Sequence, residues 1–156
     1  GQFEALILAE ASLDRLSLKS NLAVSRLDPA WFVPCASQGA LALETVRAHP
    51  LTAWLGRELG SPATTAAVSV ERALLARLGG DCTMPFGCLV AAADGAVIGR
   101  AVILAKDGRE ARAEHRGTTS DVTSGIMLEA LTDGLRTAGA RAVLVALGIA
   151  VPKVFR

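Results

Sequence analysis

"GCLVAAADGAVIGRAVILAKDGREARAEHR", from Gly87 to Arg116, decides the fold class. Two Asp-Gly pairs, Asp94-Gly95 and Asp107-Gly108, each sit between strand-like runs. Asp-Gly suits a type I′ turn, because both central residues must take positive φ. The pattern predicts a three-stranded antiparallel meander over about Gly87–Ala93, Ala96–Ala105 and Glu110–Arg116. Such a sheet needs cover on one face, and the flanking segments carry helical patterns that can supply it.

Upstream, Val68, Val70, Leu74, Leu75 and Leu78 form an apolar stripe. It predicts a helix capped by Thr64 or Thr65 and stopped by a left-handed cap at Gly79 and Gly80. Gly60-Ser61-Pro62 breaks a shorter helix, from Pro50 to Leu59, with Leu51, Trp54, Leu55 and Leu59 on one face. Downstream, Ser120 caps a helix carrying Val122, Ile126, Leu131 and Leu135, which ends near Gly139. "AVLVAL" (Ala142–Leu147) then reads as a final strand or extended tail. Helices on one face of an antiparallel sheet make an α+β unit.

The first 60 residues read differently. "FEALILA" (Phe3–Ala9) has strand length, and "GALALETV" (Gly39–Val46) alternates weakly as a strand would. Leu13, Leu16 and Leu18 suit a short helical turn or two. A chain that opens on a strand resembles the middle of a parallel α/β sheet rather than its start.

Composition excludes several classes. Lys+Arg is 16 and Asp+Glu is 15, which leaves no basic stripe for nucleic acid, and aromatics are only 4%. No apolar run reaches the roughly 20 residues that span a bilayer. The N-terminus lacks a basic leader and carries Glu4 and Glu10, so the expectation is a cytoplasmic protein without a signal peptide. Three cysteines without a C-x-x-C argue against a disulfide framework and against a zinc site. Cys35 and Cys88 read as small core hydrophobes.

Three places could carry chemistry. Cys82 follows the Gly79-Gly80 stop, which gives access. It lies past the negative end of its helix and beside Asp81, and both disfavour a thiolate. Those features favour an anchor that reacts once over a nucleophile that turns over; an ordinary surface or half-buried cysteine is the plainer alternative. Gln38 and Gly39 could offer an amide and a backbone N–H to a ligand carboxylate, or simply be a loop entering a strand. Arg15 could reach a carboxylate in a cleft, or pair with Asp14 or Glu10 on the surface.

Taken in order, "ILAEASLDRL" (Ile7–Leu16), "PCASQGALALE" (Pro34–Glu44) and "ERALLARLGGDCTMPFG" (Glu71–Gly87) resemble the C-terminal half of the porphobilinogen deaminase, or hydroxymethylbilane synthase, family. The resemblance runs from Phe3 to about Leu147. It implies a role in tetrapyrrole and heme biosynthesis. The cysteine matching Cys82 would hold a dipyrromethane cofactor as a thioether, the primer to which four porphobilinogens are added before hydroxymethylbilane is released. It implies further cofactor contacts at Arg15, Gln38, Gly39 and Ala40, with Arg72 structural or interdomain. By the same resemblance, residues 1–33 would be the tail of the second α/β domain. Residues 34–60 would return to the first, and residues 61–156 would be the C-terminal α+β domain bearing the cysteine. The fold class is therefore α+β, preceded by partial elements of doubly wound domains.

The sequence departs from the family in three respects. No Asp matches the catalytic aspartate of the N-terminal half, so no residue is assigned as catalytic. Asp81 stands where the family usually has Gly, and Ser37 replaces another usual Gly. The expected ligands are porphobilinogen and linear pyrroles, with an N-terminal half or a second copy of the chain as protein partner, and no nucleic acid or membrane. The alternative is a truncated, non-catalytic homologue that binds pyrroles or serves as an interaction module.

Overall fold

A computed structural model describes residues 3–81 and 83–156. Three strands, β1 (Phe86–Ala93), β2 (Ala96–Leu104) and β3 (Glu110–Gly117), pair antiparallel in the order β1-β2-β3. Ala93 faces Ala96 across the first turn, and Asp94 and Gly95 both take positive φ, 49° and 74°, as a type I′ turn requires. The second connection is not of that type. Only Gly108 has positive φ there, and its N–H donates to Ala105 O at 3.1 Å. Asp107 Oδ1 instead accepts the Arg109 N–H two residues on, at 3.1 Å, so the side chain builds its own turn.

Among the described residues the helices are α1 (Glu10–Arg15), α2 (Thr52–Glu58), α3 (Pro62–Arg77), α4 (Thr119–Ser124), α5 (Ile126–Thr137) and α6 (Ala140–Ala146). The start of α3 corrects the expected cap at Thr64 or Thr65. Ser61 Oγ accepts the Thr64 N–H at 3.2 Å and Pro62 takes the first helical position, where its missing N–H costs nothing. The Gly79 stop forms as expected. Gly79 has φ 69°, its N–H donates to Ala76 O, and the Gly80 N–H donates to Leu75 O.

The helix expected from Ser120 is two helices. Thr118, not Ser120, caps α4, in a reciprocal box with Asp121. Gly125, at φ 87°, ends α4, and α5 then buries Met127, Leu131 and Leu135 while Ile126 stays 53% exposed. The expected final strand or extended tail at Ala142–Leu147 is instead α6. Ala140, Val143 and Leu144 recur at helical spacing and are all buried, an arrangement in which alternate strand positions would not coincide.

One face of the sheet carries the core. Cys88, Ala101, Ile103 and Ala111 meet Leu74 and Leu78 of α3 and Met127, Leu131 and Leu135 of α5, with Leu144 and Phe155 closing the far side. Each such large side chain contributes about 1.5–3 kcal/mol on burial. Gly99 lets α5 approach, since a Cβ there would meet Met127 Sδ at 2.5 Å. The opposite face is charged along β3, and Arg100 pairs at 2.7 Å with Glu114, its direct cross-strand neighbour.

Residues 3–60 hold little core. The strands expected at Phe3–Ala9 and Gly39–Val46 do not form; no ladder partner reaches them among the described residues, and a strand is stable only when paired. Helix α2 forms where expected, yet it has no buried residue. In α1 only Leu13 is buried, and Leu16 is 67% exposed.

Candidate functional site

Helix α3 places one acid on its buried side. Glu71 lies on the same stripe as Leu74 and Leu78 and is 4% exposed. Its Oε2 accepts the Ser37 N–H at 2.6 Å and its Oε1 the Val90 N–H at 2.8 Å. The Cys88 N–H, next outward-facing donor along β1, donates to Pro34 O at 2.9 Å. Gly87 permits that approach, because a Cβ there would meet Val33 O at 2.5 Å. Together these contacts satisfy two neighbouring donors on the free edge of β1, Cys88 and Val90, which would otherwise be unpaired.

The segment so held turns back on itself. The Gln38 N–H donates to Cys35 O and the Ala40 N–H to Ser37 O, both at 3.1 Å. Ser37 sits at φ 64°, a conformation that glycine takes freely, and its Oγ is buried without a partner among the described residues. Gln38, Gly39 and Ala40 line a cleft of about 170 Å³ together with Glu71, Leu89 and Val90. The Gln38 side chain is exposed and free to meet a ligand, whereas the Ala40 N–H is spent within the turn.

Electrostatically, burial pushes the Glu71 carboxyl above its ordinary range, and the Val90 and Ser37 N–H groups oppose that shift. The Cys88 thiol is pushed up, first by burial and then by the Glu71 charge, so it stays protonated and acts as core. Cys35, expected in the core, is exposed, because its segment lies over the β1 edge rather than beneath the sheet.

Cys82 lies outside the described residues. On either side of it in sequence, Asp81 Oδ1 accepts the Thr83 hydroxyl at 2.6 Å and the Thr83 N–H at 2.8 Å, and these bonds hold the Asp81 carboxyl below its usual range. Asp81 is thus a fixed negative charge beside the cysteine. Arg15, on the exposed last turn of α1, does not line the cleft. Neither does it pair with Asp14 or Glu10. Lys19 takes Asp14 at 2.7 Å and Glu10 at 2.8 Å, and Arg26 also bonds Glu10, whose pKa falls to about 2. Of the expected contacts, then, the structure brings together Gln38, Gly39 and Ala40 but not Arg15. Glu71 escaped the sequence reading, although a lone acid on the Leu74–Leu78 stripe of a helix was the available signal.

Two family models match the chain in order. Residues 1–53 match the porphobilinogen deaminase dipyrromethane cofactor binding domain, and residues 65–131 match the porphobilinogen deaminase C-terminal domain. Among curated relatives, the porphobilinogen deaminase of Roseiflexus castenholzii is 35% identical over 144 residues, covering 92% of this chain and 46% of the relative. That of Roseiflexus sp. strain RS-1 is 38% identical over 145 residues, covering 92% and 46%. That of Thiobacillus denitrificans is 36% identical over 148 residues, covering 94% and 47%. The chain spans about half the length of these relatives.

Proposed function

The chain belongs to the porphobilinogen deaminase family, and from that premise we propose that it is the C-terminal part of a hydroxymethylbilane synthase of tetrapyrrole biosynthesis. In this reading Cys82 carries the dipyrromethane cofactor through a thioether. When bound, that group supplies the primer on which porphobilinogens are joined. One observation carries the reading: a single helix, α3, both leads into Cys82 and, through Glu71, holds the loop of Gln38, Gly39 and Ala40 at a cleft.

The described residues fit the group in part. Gln38 offers an exposed amide to a pyrrole carboxylate, and the Gly39 N–H makes no hydrogen bond among the described residues. Arg15 would join them only after α1 moves toward the cleft. The role of these residues is to bind and orient; the proton chemistry belongs to the N-terminal part, which we propose as the protein partner. The exposed apolar side chains of residues 3–60 support such a partner. Residues 1–33 and 34–60 would complete the second and first domains of the assembled enzyme, and residues 61–156 would form the third. No described helix is long and apolar enough to cross a membrane, which is compatible with the cytoplasm as its place of work.

A second reading is favoured by Asp81. Its carboxylate, kept ionised by Thr83, opposes both a thiolate at Cys82 and an anionic cofactor beside it. A non-catalytic homologue that serves as an interaction module, needing neither the thiolate nor an anionic group there, would tolerate that charge.

Intact mass of the purified chain and of Cys82→Ser separates the two. A gain equal to two porphobilinogen units less two ammonias, absent from the variant, is the expected result. An unmodified mass after incubation with porphobilinogen or hydroxymethylbilane would leave the non-catalytic reading.

A further inference from the structure

We infer that Glu71 is a positioning residue, whose buried carboxylate clips the Pro34–Ala40 loop to the edge of β1 and so sets the shape of the cleft that this loop lines. Three observations carry it. The carboxylate spends both oxygens on backbone donors from separate parts of the chain, Ser37 at 2.6 Å and Val90 at 2.8 Å. A buried carboxylate that only filled space would be replaced at no loss by an apolar side chain, whereas here its removal strands two donors. The loop has few other ties to the helices and sheet: the Pro34 carbonyl on Cys88 N–H, the Ala36 methyl against the core and, a little upstream, Arg112 Nη1 on Trp31 O at 3.0 Å. Beyond Ala40, residues 41–51 are all exposed, so nothing there would hold the loop if the clip opened.

Position along α3 adds a consequence. Glu71 is about two helical turns before Gly79, and the helix then leads into Asp81 and Cys82. The clip therefore fixes the Gln38 loop to the same rigid element that presents the cysteine. A ligand touching both would find their separation preset rather than paid for on binding. Glutamine at position 71 would keep the size of the side chain but set its NH2 group against one of the two N–H donors.

The proposal rests on the family reading only for what the loop binds, and its test uses the chain without any pyrrole. Amide hydrogen exchange is followed residue by residue on the unmodified chain and on Glu71→Gln, with intrinsic rates removed. In the unmodified chain the Ser37 N–H is expected to be protected at least tenfold over the Gly39 N–H, since a hydrogen bond to a charged acceptor is worth about that factor or more. In Glu71→Gln that protection is expected to fall to the level of Gly39, while Ile103 and Leu131 keep theirs. Equal exchange at Ser37 and Gly39 in the unmodified chain overturns the proposal, and this comparison stands even if the variant does not fold. A uniform loss of protection across the sheet and α5 also overturns it, because that is the mark of a merely structural residue. The mass measurement on Cys82 is independent of either result.

Discussion

Leu41, ahead of α2, is 87% exposed, whereas Leu131 in α5 is fully buried, and the same contrast runs through the two parts of the chain. Among the described residues, 20 of the 21 buried apolar ones lie in residues 61–156, and 16 of the 20 exposed large apolar ones lie in residues 3–60. Both parts are rich in Leu and Ala, so apolar content alone does not separate them. What separates them is the supply of local partners. The meander pairs with itself through short turns, and α3 and α5 then cover one face. Residues 3–60 contain strand-like runs with no strand to pair with, and their apolar surface faces outward. Apolar patterning makes a core only where a second element stands within reach to receive it.

The largest test of that contrast is a matched pair of truncations. Leu131→Ala should cost roughly 2–5 kcal/mol, as fully buried leucines do. Leu41→Ala should stay within about 0.5 kcal/mol. Chemical denaturation of both variants reads the difference directly. A comparable cost at Leu41 would mean that residues 3–60 pack in solution in a way this structure lacks.

Next in size is the response to a partner. Among the described residues of 3–60, sixteen large apolar side chains face outward, which favours association. The isolated chain is expected to self-associate in sedimentation and to be cleaved first between Leu41 and Pro50. An N-terminal part from a family member should suppress both. A monodisperse chain that resists cleavage there would remove the asymmetry between the two parts.

Legibility in the sequence follows the same division. The meander could be read almost to the residue, because Asp-Gly turns and alternation are local signals, and the Gly79 stop was equally local. The second Asp-Gly was misread because an Asp side chain can cap its own turn instead of adopting positive φ. Helix α6 reads in the sequence as a strand or extended tail because a short Val-rich run carries no period long enough to decide; packing against the sheet decides it. The strands of residues 3–60 were expected from propensity alone, and propensity yields to the lack of a partner. Within the site, Gln38, Gly39 and Ala40 were found through motif resemblance, while Glu71 was passed over. Its role depends on two N–H groups 34 and 19 residues away, which no local pattern encodes.

The smallest expected effect lies at the junction of the two parts. Ser37 belongs by position to the poorly packed part, yet its N–H is held by Glu71 and its Oγ is buried without a partner. Its φ of 64° costs a non-glycine residue on the order of 1 kcal/mol or more, and the orphaned hydroxyl adds to that. Glycine removes both costs but loses more freedom on folding, by roughly 0.5–1 kcal/mol. Ser37→Gly should therefore stabilise the chain by about 1 kcal/mol, read as a raised denaturation midpoint with an unchanged slope. That gain appears only if the loop is ordered as part of the folded unit. If residues 34–40 were as loose as residues 41–50, the unfolded and folded chains would sample position 37 alike, and the substitution would change nothing. A small increment at one serine thus decides where the packed part of the molecule begins: at Ser61, where α3 is capped, or at Pro34, where the loop first touches β1.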